Sequence, residues 1–250
     1  MRNLLLAGIA LMGVAGIQVS AEAAPLLAAR IYQDGNLITN YNYLGGDTIS
    51  GGVISDTNGD GVLSFSGNTS LFQFVSVFAS GAPANPEPTM AGQMNQISSS
   101  TNFSGTHTLR LEITQTDVSS ATAGGLAAQL ASTLTANLLA GVNQVESVVL
   151  SNYASAGNIA FDITDVLLAT TTVTPSTTPA DALGTVITNL SLPNELFSQT
   201  MIIEATFTGG GATISASSQI VAVPEPASIA LFSTGLLGLG MLARTRRRNS

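Results

Sequence analysis

The stretch Asp56-Thr57-Asn58-Gly59-Asp60-Gly61 comes nearest to a chemical pattern. In an Asp-x-Asn-x-Asp-Gly order, alternate side-chain oxygens can converge on a hard cation, and Gly61 permits the sharp turn that gathers them. Leu63 occupies the apolar position of such a loop. The twelfth position is Gly67, where a bidentate glutamate is needed, and no helical pattern flanks the stretch. Asp56, Asn58 and Asp60 are therefore candidate ligands for weakly held calcium, of about millimolar affinity. The competing reading, which we favour, is a turn rich in Asp, Asn and Gly for conformational reasons. No other cofactor is indicated.

The remaining groups offer little for catalysis. His107 is the only histidine and there is no cysteine. A metal site or nucleophile built on His107 therefore lacks its usual partners, and neither G-x-S-x-G nor H-E-x-x-H occurs. A lone histidine at the start of a strand reads as a turn or surface residue. Asp162 and Asp165 bracket a strand-like Phe161-Asp162-Ile163-Thr164, and a spacing of three puts them on opposite faces, against a local acid–base pair. The run Thr170-Thr171-Thr172-Val173-Thr174 is Thr-rich but lacks the regular repeat of a threonine solenoid. There is no tryptophan, and Tyr41 and Tyr43, at alternate positions, are platforms for stacking on a sugar. The expectation is a protein that is not an enzyme.

Around these residues the pattern from residue 24 to 222 is short strands separated by Gly, Asn, Asp and Ser turns. Arg30-Ile31-Tyr32-Gln33 and Leu37-Ile38-Thr39 flank Asp34-Gly35-Asn36, a hairpin-like turn in which Gly35 supplies the positive φ. Residues 53–55, 62–65 and 71–78 read as strands on either side of the Asp56 turn and beyond it. Residues 108–118 alternate cleanly, with Leu109, Leu111 and Ile113 on one face and Arg110, Glu112 and Thr114 on a face expected to be wet. Met201, Ile203, Ala205 and Phe207 repeat the alternation. After Gly209-Gly210-Gly211 come Ile214, Ala216, Ser218 and Ile220, so the pair predicts a C-terminal hairpin. Leu126, Leu130, Leu134 and Leu138, spaced by four, fit either a helix face or a strand, and we read residues 126–145 as strand. Residues 80–88, with three prolines, and 170–179, rich in Thr and Pro, read as loops. The expected architecture is all-β, a single antiparallel β-sandwich.

The chain of 250 residues carries only 9% charged residues and 45% hydrophobic ones, a balance that argues for a packed domain with a largely neutral polar surface. There is no lysine. Between residues 24 and 222 only Arg30 and Arg110 oppose thirteen acids, a net charge of about −11. That balance disfavours nucleic acid as a partner. Without cysteine, a core of about 200 residues must hold the domain together without disulfides. At the N-terminus, Met1-Arg2-Asn3, an apolar run over residues 4–17, and Ala21 and Ala23 in A-x-A order form a signal peptide over residues 1–23, cut after Ala23 or, alternatively, after Ala21.

The C-terminal segment has three parts. Val223-Pro224-Glu225-Pro226 comes first, then an uncharged apolar run over residues 227–243, then Arg244, Arg246, Arg247 and Arg248. As a helix the run is about 25 Å long, short but sufficient for a transmembrane helix. The arginines place the C-terminus in the cytoplasm and the domain outside. The two prolines keep this helix from extending back into the domain. This order resembles the PEP-CTERM sorting signal of Gram-negative bacteria, a segment also called the ice-binding protein C-terminal domain. The resemblance covers residues 223–248. It implies an exosortase partner that recognises Pro224-Glu225-Pro226 at the inner membrane, cuts near it, and leaves the outer domain at the cell surface or outside the cell. The functional expectation is an exported, non-enzymatic surface or extracellular-matrix protein associated with exopolysaccharide. An extracellular carbohydrate-binding module, with or without the Asp56 calcium loop, is the alternative.

Overall fold

Period-two alternation of apolar and polar side chains runs through nearly every segment of the chain and determines its architecture. The computed structural model describes residues 26–39, 42–43, 47–101, 103–175 and 181–223. The first eight strands are β1 (Leu27–Gln33), β2 (Asn36–Leu37), β3 (Asn42–Tyr43), β4 (Thr48–Ser50), β5 (Val53–Ser55), β6 (Val62–Asn68), β7 (Phe72–Ser80) and β8 (Met90–Ser99). Then come β9 (Ser104–Ser119), a single helical turn α1 (Ser120–Ala123), β10 (Ala128–Ala140), β11 (Val145–Ser155), β12 (Val166–Val173), β13 (Asp181–Leu190), β14 (Leu196–Gly209) and β15 (Thr213–Ala222). The expected sorting helix, its arginine tail and the signal peptide lie outside the described residues, as does Tyr41. Among the described residues no helix is long and apolar enough to cross a membrane.

All strand pairings among the described residues are antiparallel. One sheet runs β12-β11-β14-β9-β1-β5-β4, with β2 joined to β1, and the other runs β13-β10-β15-β8-β7-β6-β3. The two sheets form a sandwich over one apolar core. Leu111, Ile113, Ile203 and Leu150 come from the first sheet, and Phe65, Val77, Met94, Leu134 and Ile220 from the second. Phe72 and Phe207 meet across the layers with ring centroids 5.2 Å apart. The Ser218 hydroxyl donates to Asn152 Oδ1 at 2.6 Å, a second link between the sheets. Gln199 Nε2 donates to the Pro88 carbonyl at 2.6 Å and ties the first sheet to the proline loop.

The ambiguous leucine stretch is strand: Leu130, Leu134 and Leu138 of β10 point into the core, while Leu126 lies before the strand and is exposed. Four expectations are corrected. The C-terminal pair is not a hairpin, because β14 pairs with β9 and β11 in one sheet while β15 pairs with β8 and β10 in the other. Gly209–Gly211 therefore turns the chain across the sandwich, a choice that alternation alone leaves open. Residues 170–173 belong to edge strand β12, where β-branched threonine is favourable, instead of a loop. Residues 161–164 are not a strand: Phe161 has φ 58°, and the Asp162 side chain accepts from the Thr164 N–H and hydroxyl, capturing the local backbone. Finally, the outward face of β9 is not uniformly wet, since Glu112, Thr114 and Thr116 are all buried.

Candidate functional site

The segment linking β11 to β12 packs over part of that outward face. Residues 156–165 leave β11, beside the edge strand β12, and fold back over the first sheet as a strap. Asn158 and Asp117 form a reciprocal pair, with Asn158 Nδ2 donating to Asp117 Oδ1 at 2.7 Å and the Asp117 N–H donating to Asn158 Oδ1 at 2.8 Å. The Ser198 hydroxyl donates to the Ile159 carbonyl, and the Phe161 N–H donates to Thr114 Oγ1. At the far end the Phe161 ring lies 4.0 Å from the Arg30 guanidinium carbon, close enough for a cation–π contact. The strap thus crosses β14 and β9 to reach β1.

Beyond the strap a charged cluster fills the face. Strand register puts Arg30 opposite Glu112, and it aligns Tyr32, Arg110 and Glu204 in one row across β1, β9 and β14. Glu112 is 3% exposed, and each of its oxygens is taken by an arginine: Oε2 by Arg30 Nε and Oε1 by Arg110 Nη2, both at 2.5 Å. Burying a carboxylate without such partners costs several kcal/mol. Arg30 and Arg110 are the only lysine or arginine residues between residues 24 and 222, and both reach this one acid. Arg110 Nη1 stands 3.8 Å from Glu204 Oε2, an ion pair too long for a direct hydrogen bond. Glu204 is 37% exposed. Tyr32, Gly35, Thr108, Arg110, Glu112 and Glu204 line a cleft of about 260 Å³. One wall is the β1–β2 hairpin turn, where Asp34 and Gly35 both take positive φ. The turn is held by Thr108, whose N–H donates to Asp34 Oδ1 at 2.9 Å.

His107, on β9, packs against the same turn. Its Nδ1 is 2.9 Å from Asp34 Oδ2 and its ring packs edge-on against Phe103, so it serves the hairpin as a surface residue. Burial works to raise the Asp34 carboxyl, but the Thr108 N–H, His107 and Gln33 outweigh it and hold the group below its ordinary value. The Ser155 hydroxyl and the Thr164 donors likewise lower Asp162. Asp165 accepts from the Ala156 N–H, so both carboxylates tie down the strap.

The Asp56 turn connects β5 of one sheet to β6 of the other. Asp56 is 4% exposed, and both its oxygens accept backbone donors, Oδ1 from the Gly59 N–H at 2.8 Å and Oδ2 from the Gly61 N–H at 2.7 Å. Asn58 Oδ1 accepts from the Asp60 N–H, and Asp60 Oδ1 from the Val62 N–H. Each of the three side chains is thus engaged with the turn's own backbone. No group of three or more His, Cys, Asp or Glu side chains is arranged to hold a metal among the described residues.

The arginine–glutamate cluster is the candidate site that reading the sequence missed. Its signal was present in composition: a domain with two cations, each alternating with core residues on a strand, has few ways to neutralise a glutamate placed between them. Of the sorting signal only Val223 falls within the described residues. Its N–H donates to the Gln129 carbonyl at 2.9 Å, so the pairing of β15 with β10 continues to the first residue of the motif. Pro224, Glu225, Pro226 and the arginines lie outside the described residues, as do Ala21 and Ala23.

Comparison with known proteins agrees with the C-terminal reading. Residues 222–248 match the family model of the PEP-CTERM protein-sorting motif. No curated protein matches the chain. Among solved structures, one described for the promiscuous specificity of carbohydrate-binding modules from the β-sandwich superfamily aligns at a TM-score of 0.33 and 15% identity over 62% of this chain. The chain spans about half of that protein, 54% of its length. TmCBM61 in complex with β-1,4-galactotriose aligns at a TM-score of 0.29 and 8% identity, over 65% of this chain and 87% of that one.

Proposed function

We propose that this protein, which carries a PEP-CTERM sorting motif, is exported, held at the inner membrane by its C-terminal helix with the arginines in the cytoplasm, and released by an exosortase to the cell surface or exterior, where it associates with exopolysaccharide. The observation that carries the reading is the coincidence of Pro224-Glu225-Pro226, the uncharged run and the arginine tail within the matched residues 222–248. The outer domain then acts without catalysis, as a rigid surface or matrix module. The continuous pairing of Val223 with β10 supports a cut on the C-terminal side of that residue, because a protease binds its substrate as a free extended strand and residues before Val223 are already committed to the sheet.

Intact mass of the mature protein from a host that makes an exosortase tests this, beside a Glu225→Ala, Pro226→Ala variant. The expected outcome is a wild-type mass that retains Val223 and lacks Arg244 to Ser250, with the variant uncut. A wild-type mass that still includes the arginines would make the segment a permanent anchor.

A further inference from the structure

We infer that the row Tyr32, Arg110 and Glu204 is a binding site for one neutral sugar ring presented by a polysaccharide; this rests on the reading of the domain as a non-catalytic surface module. The polar groups are paired in type and left apart. Arg110 Nη1 is a donor and Glu204 an acceptor, 3.8 Å from each other, a gap that vicinal hydroxyls fill by accepting from one and donating to the other. Thr108 adds a hydroxyl and Tyr32 an aromatic wall beside them. The arrangement is held in advance. Glu112 orients Arg110 and is itself held by Arg30, which is fixed between Phe161 at 4.0 Å and Tyr32 at 5.4 Å.

Charge selects the class of ligand. Across the cluster Arg30 and Arg110 balance Glu112 and Glu204, so the local charge is small, while the domain around it is strongly acidic. An anionic sugar meets long-range repulsion from the domain and the Glu204 carboxylate beside the cleft, whereas a cationic group, drawn by that same field, meets the Arg110 guanidinium at close range. Size selects one ring: about 260 Å³ falls just below the ~300–1,000 Å³ of ordinary ligand pockets.

The test uses the full chain in detergent, titrated with the methyl glycosides of glucose, galactose and mannose and followed by saturation-transfer NMR, with glucuronate as the charged control. At least one neutral glycoside is expected to bind saturably and more tightly than glucuronate. Glu204→Gln and Tyr32→Ala are each expected to weaken it about tenfold or more, the loss of one charge-assisted hydrogen bond or one stacking wall. Glu204 is partly exposed and only loosely paired, so the melting temperature of Glu204→Gln should match that of the wild type. Absence of binding by every neutral glycoside, preference for glucuronate, or wild-type affinity in either variant overturns the assignment. C-terminal processing, read by mass in the same strains, reports separately on the sorting reading and is independent of these outcomes.

Discussion

Asp56 serves its turn with both carboxylate oxygens, the engagement of an Asp-x-Asn-x-Asp-Gly turn that folds around its own backbone. The bonds of Asn58 and Asp60 reach two residues ahead, the local Asx pattern that these residue types favour anywhere. They were legible from spacing. The reach of Asp56 to the Gly61 N–H was not, because it depends on Gly61 being pressed against the proline loop: a Cβ there would lie 2.7 Å from the backbone nitrogens of Pro83 and Ala84. Asp56→Ala is therefore expected to cost about 2–4 kcal/mol, since two N–H groups lose a buried, charged acceptor. Thermal denaturation measures it. About 5 mM calcium, ample for a weak extracellular site, should leave the wild-type midpoint where it was; a rise in the midpoint would reassign these oxygens to a cation.

At the scale of elements, the strap over residues 156–165 changes the meaning of β9. Alternation correctly put Leu109, Leu111 and Ile113 in the core. It could not show that Thr114 is covered, because its cover comes from a loop more than forty residues later in sequence, nor that Glu112 is buried between two arginines. Asn158 is its latch, bonded twice to Asp117 and held at φ 54°. Asn158→Ala removes both side-chain bonds and puts alanine in a left-handed conformation, which together should loosen the strap by about 2–3 kcal/mol. Chymotrypsin, which cuts after large apolar residues, should then cleave behind Phe161 much faster than in the wild type while the sandwich stays folded. Unchanged cleavage would mean that Phe161 on Arg30 holds the strap without the latch.

For the whole molecule, acid should be tolerated until the depressed carboxyls titrate. Asp34 and Asp162 both lie below their ordinary values in the folded state. Their contribution is fully present above the unfolded value of about 3.9 and is lost as the pH falls from there through the folded values. Melting temperatures should therefore hold down to about pH 4 and drop below it, and Asp34→Asn with Asp162→Asn should flatten that drop. An acid slope identical in the double variant would assign the loss to other carboxyls. At this scale, too, the absence of cysteine finds its counterpart: one core shared by two seven- and eight-stranded sheets stands in for cross-links.

The sequence by itself determined the sorting segment, the all-β class and which residues face inward, because each of these is written in contiguous order or in a period of two. The tertiary structure decided which sheet each strand joins, that β14 and β15 part company at Gly209–Gly211, and that Arg30, Tyr32, Arg110, Glu112 and Glu204 meet. The physical reason is separation along the chain. Strand pairing is a contest among many alternating segments of similar pattern, and it is settled by which register buries every apolar face in one closed core.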